Sequence, residues 1–414
     1  MNGGPAAERV AWTAQPAHRA WLATQMERQL VFARGFPHPG GGAAYLDDRG
    51  RPDLTRPVYS WVTARMAHVY SLGHLAGIPG CGPLAATAVA GLTGVLHDDD
   101  HGGWFASVGP EAARDETKAA YAHVFVVFGA ASATVARVPG AAALLEEALT
   151  VLDQRFWEEG PGLHCDSLSP DWSQVGAYRG LNANMHAVEA LLSAADTTGE
   201  AGWLDRAHRI TTTVLGWAAG NQWRIPEHYD DQWRPLPDHH NEQPDHAFEP
   251  FGATVGHGLE WARLALQVAA ALGAAAPASL LEGARRLFAR AVADGWAADG
   301  ADGFVYTTDW DGKPVVHQRM HWVLAEAVCA AAALHRVTGE SDYDDWYRTW
   351  WDFAATHLIA SDGSWRHELD AQNAPAATVW PGRPDIYHSL HATLLPRLPL
   401  TPSAPIALAR GAGG

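Results

Sequence analysis

Residues 181–200 read LNANMHAVEALLSAADTTGE, and residues 321–340 read HWVLAEAVCAAAALHRVTGE. Both stretches are built from good helix formers, place apolar residues at the 3.6-residue helical period, and close on the same Thr-Gly-Glu. The two closures lie 140 residues apart, so the chain repeats itself. Working outward, six short aromatic turn stretches share one order: YLDDRGRP (45–52), GWFASVGP (103–110), GLHCDSLSPDW (162–172), HYDDQWRP (228–235), FVYTTDWDGKP (304–314) and GSWRHELDAQ (363–372). Each leads through a polar loop into a long Ala/Leu-rich helical pattern. Tyr229 and Trp233 have the same separation as Tyr306 and Trp310.

Helical periodicity predicts helices over 61–75, 116–137, 183–197, 203–219, 255–272, 279–294, 318–337 and 342–358, with weaker patterns at 16–34, 84–96, 141–156 and 385–395. Six helix pairs of about 69 residues (414/6) fill the chain. Repeated helix pairs stack into an open solenoid or close into a ring. The count of six and the lack of a polar capping repeat favour the ring. The expected fold class is therefore all-α, an (α/α)6 barrel with short β-hairpins and loops at one rim. It should form a single domain over 1–414, with the Pro/Ala/Gly-rich segment 398–414 a surface strap or frayed tail.

Composition narrows the function. Lys and Arg number 29 against 46 Asp and Glu, a formal net charge of −17, which disfavours nucleic acid and anionic membranes as partners. No apolar run reaches the ~18 residues of a membrane helix, and no signal-peptide core follows MNGGP, so a cytoplasmic protein is expected. Cys81, Cys165 and Cys329 are scattered without a CxxC, which argues against a disulfide framework or a cysteine-based zinc site. GxGxxG, GxxxxGK[ST] and GxSxG are absent, removing the main support for Rossmann, P-loop and α/β-hydrolase readings. The 19 Trp residues suit either helix packing or an apolar-walled, wet site such as a sugar cleft.

In a toroid, polar residues just after each turn stretch converge on one mouth of the cavity. Arg65, Tyr121, Asn182 with His186, His257 with Glu260, Trp322 with Glu326, and His388 occupy these positions. Lead residues recur at intervals of 56, 65, 71, 65 and 66. Shifting Glu326 back by 140 lands on His186, and Trp322 lands on Asn182. Any single histidine is more often a packed or surface residue than a catalytic one. Glu326 is harder to dismiss, because a carboxylate inside LAEAV is costly to bury unpaired. His186 with Glu189, and His257 with Glu260, are spaced to share a helix face.

Two other clusters invite a metal reading. HDDDH (97–101) packs acids and histidines densely, but adjacent residues do not all point one way, which suits an exposed loop. DHHNEQPDH (238–246) lies in the longest loop, 221–252, without HExxH or similar ligand spacing, and reads more readily as an active-site lid. No metal or other cofactor is expected for the chemistry.

The segments TARMAHVYSLG (63–73), NANMHAVEALL (182–192), PFGATVGHGLEWARL (250–264), HWVLAEA (321–327) and GRPDIYHSLHATLLP (382–396) resemble the N-acylglucosamine 2-epimerase superfamily. The aldose–ketose isomerase branch, acting on D-mannose or sulfoquinovose, is the most similar. The resemblance runs from about residue 45 to 396 and implies an (α/α)6 barrel that needs no metal. It also implies that His257 and His388 are the catalytic pair. Arg65, Tyr121, Asn182 and His186 would hold sugar oxygens, Trp322 would wall the ring, and Glu260 and Glu326 would be the conserved acids. Glu249, in AFEPFG, would be unfavourable beside a sulfonate or phosphate, which favours an uncharged hexose, although Arg224, Arg234 or Arg383 could offset it.

The expected reaction interconverts D-mannose and D-fructose by moving a proton between C1 and C2 through a cis-enediolate. His257, oriented by Glu260, would help open the ring; His388 would carry the proton and Arg65 would stabilise the oxyanion. A sugar 2-epimerase would use nearly the same groups. A non-catalytic carbohydrate-binding toroid, or a glycosidase built on Glu260 and Glu326, are the other readings. The partner is a monosaccharide, and the chain is expected as monomer or homodimer. Of the tryptophans, Trp104, Trp233, Trp310 and Trp365 are expected at the rim, Trp61, Trp261 and Trp322 beside the catalytic groups, and Trp203, Trp346, Trp350 and Trp351 in outer-helix packing.

Overall fold

A computed structural model describes residues 10–411. The MNGGP stretch and the last three residues of the expected tail lie outside the described residues. Thirteen helices are present among those described: α1 (Pro16–Phe32), α2 (Ser60–Leu75), α3 (Cys81–Leu92), α4 (Ala120–Val135), α5 (Ala141–Val151), α6 (Leu181–Thr198), α7 (Ala201–Gly220), α8 (Val255–Leu272), α9 (Ala278–Gly295), α10 (His321–Thr338), α11 (Ser341–Phe353), α12 (Tyr387–Leu394) and α13 (Ala404–Ala409). The first twelve answer to the twelve predicted helical patterns.

The even-numbered helices form an inner ring. α2 packs on α4, α4 on α6, α6 on α8, α8 on α10, α10 on α12, and α12 back on α2. Each of α3, α5, α7, α9 and α11 covers the inner helix that precedes it, and α1 covers α12. The sixth pair is thus assembled from the two ends of the chain, which closes the toroid. Inner helices are buried on nearly every face, as in α4 (AYAHVFVVFGAASATV) and α10 (HWVLAEAVCAAAALHRVT). Their small residues let neighbouring backbones approach. At Gly129, a Cβ would stand 2.5 Å from the Ala64 carbonyl oxygen of α2. Outer helices bury one stripe only, as α9 does through Leu280, Ala284, Leu287, Phe288 and Ala291.

Every turn stretch contributes a two-residue strand to the rim. Val58–Tyr59, Lys118–Ala119, Arg179–Gly180, Ala253–Thr254 and Arg319–Met320 each precede an inner helix. They pair antiparallel with Ser107–Val108, Ser167–Leu168, His228–Tyr229, Thr307–Thr308 and Glu368–Leu369 of the next unit. A bridge between Leu46 and Arg383 ties the sixth unit to the first. This stitching fixes where each inner helix starts, so the first turns of all six face one mouth.

The opposite end is closed by α13, which packs on α2, α4 and α6 and buries Pro405, Ala407 and Leu408. The expected strap or tail is therefore an end cap with its own helix. Ala, Leu and Ile at 404–409 form too short a pattern to stand out by periodicity. No helix among the described residues is long and apolar enough to cross a membrane.

Candidate active site

The pocket at the strand-lined mouth is lined by Arg65, Tyr121, Asn182, His186, His257, Glu260, Trp322 and His388, so eight of the nine sequence-predicted site residues meet there. The ninth, Glu326, lies just beneath. His388 Nδ1 donates to Glu326 Oε1 at 2.9 Å. A carboxylate accepts only, so this bond puts the proton on Nδ1 and leaves Nε2 with its lone pair. Burial, followed by the positive charge of Arg65, holds His388 well below the ordinary histidine range, so it is neutral, with an unprotonated ring nitrogen, at neutral pH. His186 is held down in the same way.

His257 does not take its orientation from Glu260. Its Nδ1 lies 3.0 Å from Glu227 Oε1, a contact at ion-pair distance although its angle falls short of a hydrogen bond. Glu227 is buried, in the segment leading into the His228–Tyr229 strand. Glu260 sits one turn further down α8. Its Oε1 is 3.7 Å from His186 Nδ1 and accepts from Arg263 Nη2 at 3.2 Å. Sharing a helix face carried Glu260 below His257 rather than against its ring. Nothing in IPEHY marked Glu227, because its partner is distant in sequence.

Arg263 organises the floor. Fully buried, it also donates to Glu326 Oε2 at 2.9 Å and Glu189 Oε1 at 3.0 Å. Tyr387 donates to the other Glu189 oxygen. One guanidinium thus meets three carboxylates. Burial, and then repulsion from Glu326, push Glu260 well above the usual carboxylate range. Protonation of Glu260 relieves the charge excess. With Glu260 and Glu326 both clamped to Arg263 and Glu326 below the pocket, these two acids do not flank a sugar bond as a glycosidase pair would.

Arg65 Nη1 donates to Asp385 at 3.0 Å, and its Nη2 donates to the Tyr121 hydroxyl at 2.8 Å. Its guanidinium lies 4.7 Å from the Trp61 ring centre and 4.3 Å from that of Phe125. Burial pushes the Tyr121 hydroxyl up to about 12, so it stays a donor. Trp322 stands between His257 and His388, its ring 5.2 Å from the first and 5.7 Å from the second. Gly256 makes room for it, since a Cβ there would overlap the indole. Among the described residues, buried Asn182 Oδ1, His321 Nε2, His367 Nδ1 and Arg65 Nε have no hydrogen-bond partner. Such orphaned groups around one cleft suit a ligand rich in hydroxyls.

The lid reading of 221–252 agrees with Ala247, Phe248 and Pro250 lining the pocket. Phe248 meets Trp61 at 6.2 Å, Tyr121 at 6.5 Å and Trp380 at 5.1 Å. Of the tryptophans expected beside the catalytic groups, Trp61 and Trp322 line the cleft, whereas Trp261 is fully buried in the core. Trp104 and Trp365 are also core residues rather than rim walls. Trp380, Tyr45, Tyr306 and Asp385 are pocket residues that repeat phase did not single out. They come from rim loops, where no helical period applies. Arg224 is held by Asp294 and Arg234 by Asp230, and neither they nor Arg383 line the pocket. Among the described residues, the one guanidinium lining the cleft is that of Arg65, which is already paired with Asp385.

The family model for N-acylglucosamine 2-epimerase (GlcNAc 2-epimerase) matches residues 41–392. The chain is 49% identical over 402 residues to a D-mannose isomerase from Thermobifida fusca, covering 96% of this chain and 98% of the relative. It is 47% identical to a D-mannose isomerase from Pseudomonas cannabina pv. alisalensis over 403 residues, covering 96% and 97%. A crystal structure of D-mannose isomerase superposes with a TM-score of 0.85 at 27% identity, covering 92% of this chain and 99% of that one.

Proposed function

Starting from a chain that belongs to the N-acylglucosamine 2-epimerase family, we propose that it is an aldose–ketose isomerase interconverting free D-mannose and D-fructose. The observation that carries this reading is the pocket's pair of histidines. Each has a carboxylate on Nδ1, and they sit on either side of Trp322 beneath an aromatic lid. Moving hydrogen between C1 and C2 needs an unprotonated base held close to a weakly acidic C–H.

In the reading adopted here, the hexose ring lies along Trp322 with its hydroxyls on Asn182, His186 and Tyr121. His257, positioned by Glu227 in place of the expected Glu260, gives a proton to the ring oxygen and takes up the one the anomeric hydroxyl releases, which opens the sugar to the aldehyde. Neutral His388, its tautomer set by Glu326, removes the C2 proton through Nε2. The electron pair moves into C1–C2, and Arg65 faces the oxygen where negative charge develops. His388 then returns the proton to C1 while the O2 hydroxyl proton passes to O1, which gives the 2-ketose. The single, already paired cation of the cleft favours an uncharged sugar over a sulfonated or phosphorylated one.

The test is D-mannose in D2O followed by NMR, with sugar phosphates and sulfoquinovose alongside. Fructose should accumulate, and His388→Ala should lower the rate at least about a hundredfold. Glucose without fructose, or a variant that keeps full rate, would overturn the reading.

A further inference from the structure

We propose that the lid carries a binding site for a divalent transition-metal ion of the Zn2+ type, formed by His239, His240 and Glu249. One ligand atom from each of these residues lies within 4.8 Å of the others. Modest side-chain closure brings such a set onto the ~2.0–2.2 Å bonds of a zinc sphere. His239 Nε2 already stands 2.7 Å from Glu249 Oε2, sharing a proton with it that an ion would displace to solvent. His240 Nδ1 donates to the Glu249 carbonyl at 2.8 Å. Since a carbonyl only accepts, His240 is fixed in the tautomer whose Nε2 lone pair is free. Metal-binding histidines are oriented by that same kind of bond.

The surroundings hold the same geometry. The Glu249 N–H donates to His246 Nδ1 at 3.1 Å, so both backbone groups of Glu249 are anchored by histidines. The His240 ring packs between those of His239, at 4.1 Å, and His246, at 4.3 Å. The three ligand side chains are 20–33% exposed, so an ion reaches them from solvent. Two imidazoles and one carboxylate suit Zn2+, Ni2+ or Cu2+, not the all-oxygen preference of Mg2+ or Ca2+.

The location gives the site a consequence. Phe248 and Pro250 flank Glu249 in sequence and line the sugar pocket, yet none of the three ligands does. An ion tying Glu249 to His239 and His240 would hold Phe248 over the cleft. It takes no part in moving the substrate proton; it latches the lid and slows sugar exchange.

The experiment is calorimetric titration of the chelator-treated full-length protein with ZnCl2, with CaCl2 as comparison. One saturable Zn2+ site per chain is expected, weakened at least about tenfold in both His240→Ala and Glu249→Gln and unchanged in His101→Ala. Amide exchange over 238–250 should slow on Zn2+ addition in the wild type and not in His240→Ala. Mannose turnover should fall reversibly with Zn2+ in the wild type alone. Absence of a saturable site, wild-type affinity in the two lid variants, or unchanged exchange over 238–250 would overturn the proposal. Binding and exchange are measured without substrate, so their failure is separate from failure of the isomerase reading.

Discussion

At the residue scale, the site is governed by which carboxylate meets which cation. Glu227 is the clearest instance, because its ion-pair contact among the described residues is the ring of His257, 3.0 Å away. Glu227→Gln keeps shape and removes charge. It should lower kcat by about tenfold or more, short of the 10²–10⁴ expected for losing the acid itself, with KM little changed. Steady-state kinetics on D-mannose checks this split. Arg263 has the opposite character, since it does not line the pocket and holds Glu189, Glu260 and Glu326 together from beneath it. Arg263→Met strands buried carboxylates and should cost about 3–5 kcal/mol in urea unfolding. The sequence made His257, His388 and Glu326 legible through their common phase. It could not make Glu227 or Asp385 legible, because each finds its partner through a loop.

At the element scale, helices were readable because long Ala/Leu patterns with a steady period leave few alternatives. Inner and outer helices differ in burial for a reason visible in composition. The inner ones are small and apolar all round, and the outer ones carry a single stripe. α2 and α4 touch through Gly129, where a methyl group would strike the Ala64 carbonyl. Gly129→Ala should therefore destabilise by about 1–3 kcal/mol, despite the better helix propensity of Ala, as read by thermal or urea melts. The rim strands and α13 were the elements that composition alone did not resolve. The two-residue strands that precede the inner helices exist only by pairing across repeats, and a six-residue helix exists only by packing on the barrel floor.

At the scale of the whole molecule, the toroid buries many neutral histidines. Burial lowers His123 and His164 to about 3, and His18 and His321 to about 4. His68, His186, His367, His388 and His391 are also held well below the ordinary value. Below pH 6.5 the unfolded chain protonates these groups and the folded chain does not. Stability is therefore full above that pH and is lost as pH falls toward the folded values, by up to about 1.4 kcal/mol per pH unit for each group. Asp166, raised to about 7 by burial, and Glu260 act in the opposite sense but are fewer. Calorimetry should show Tm falling by roughly 10 °C or more between pH 7 and pH 5.

The sequence by itself determined the helical repeat, the count of six, and the set of polar groups at the head of each inner helix. Those are local properties, written in period and phase. Only the tertiary structure decided that α1 and α12 form the sixth pair and that the chain end caps the floor. It also decided that Glu227 rather than Glu260 attends His257, and that the histidines of the lid gather around Glu249. Each of these depends on which distant segments lie within a few ångströms of one another, and short-range hydrogen bonding and charge pairing act only after the ring has closed.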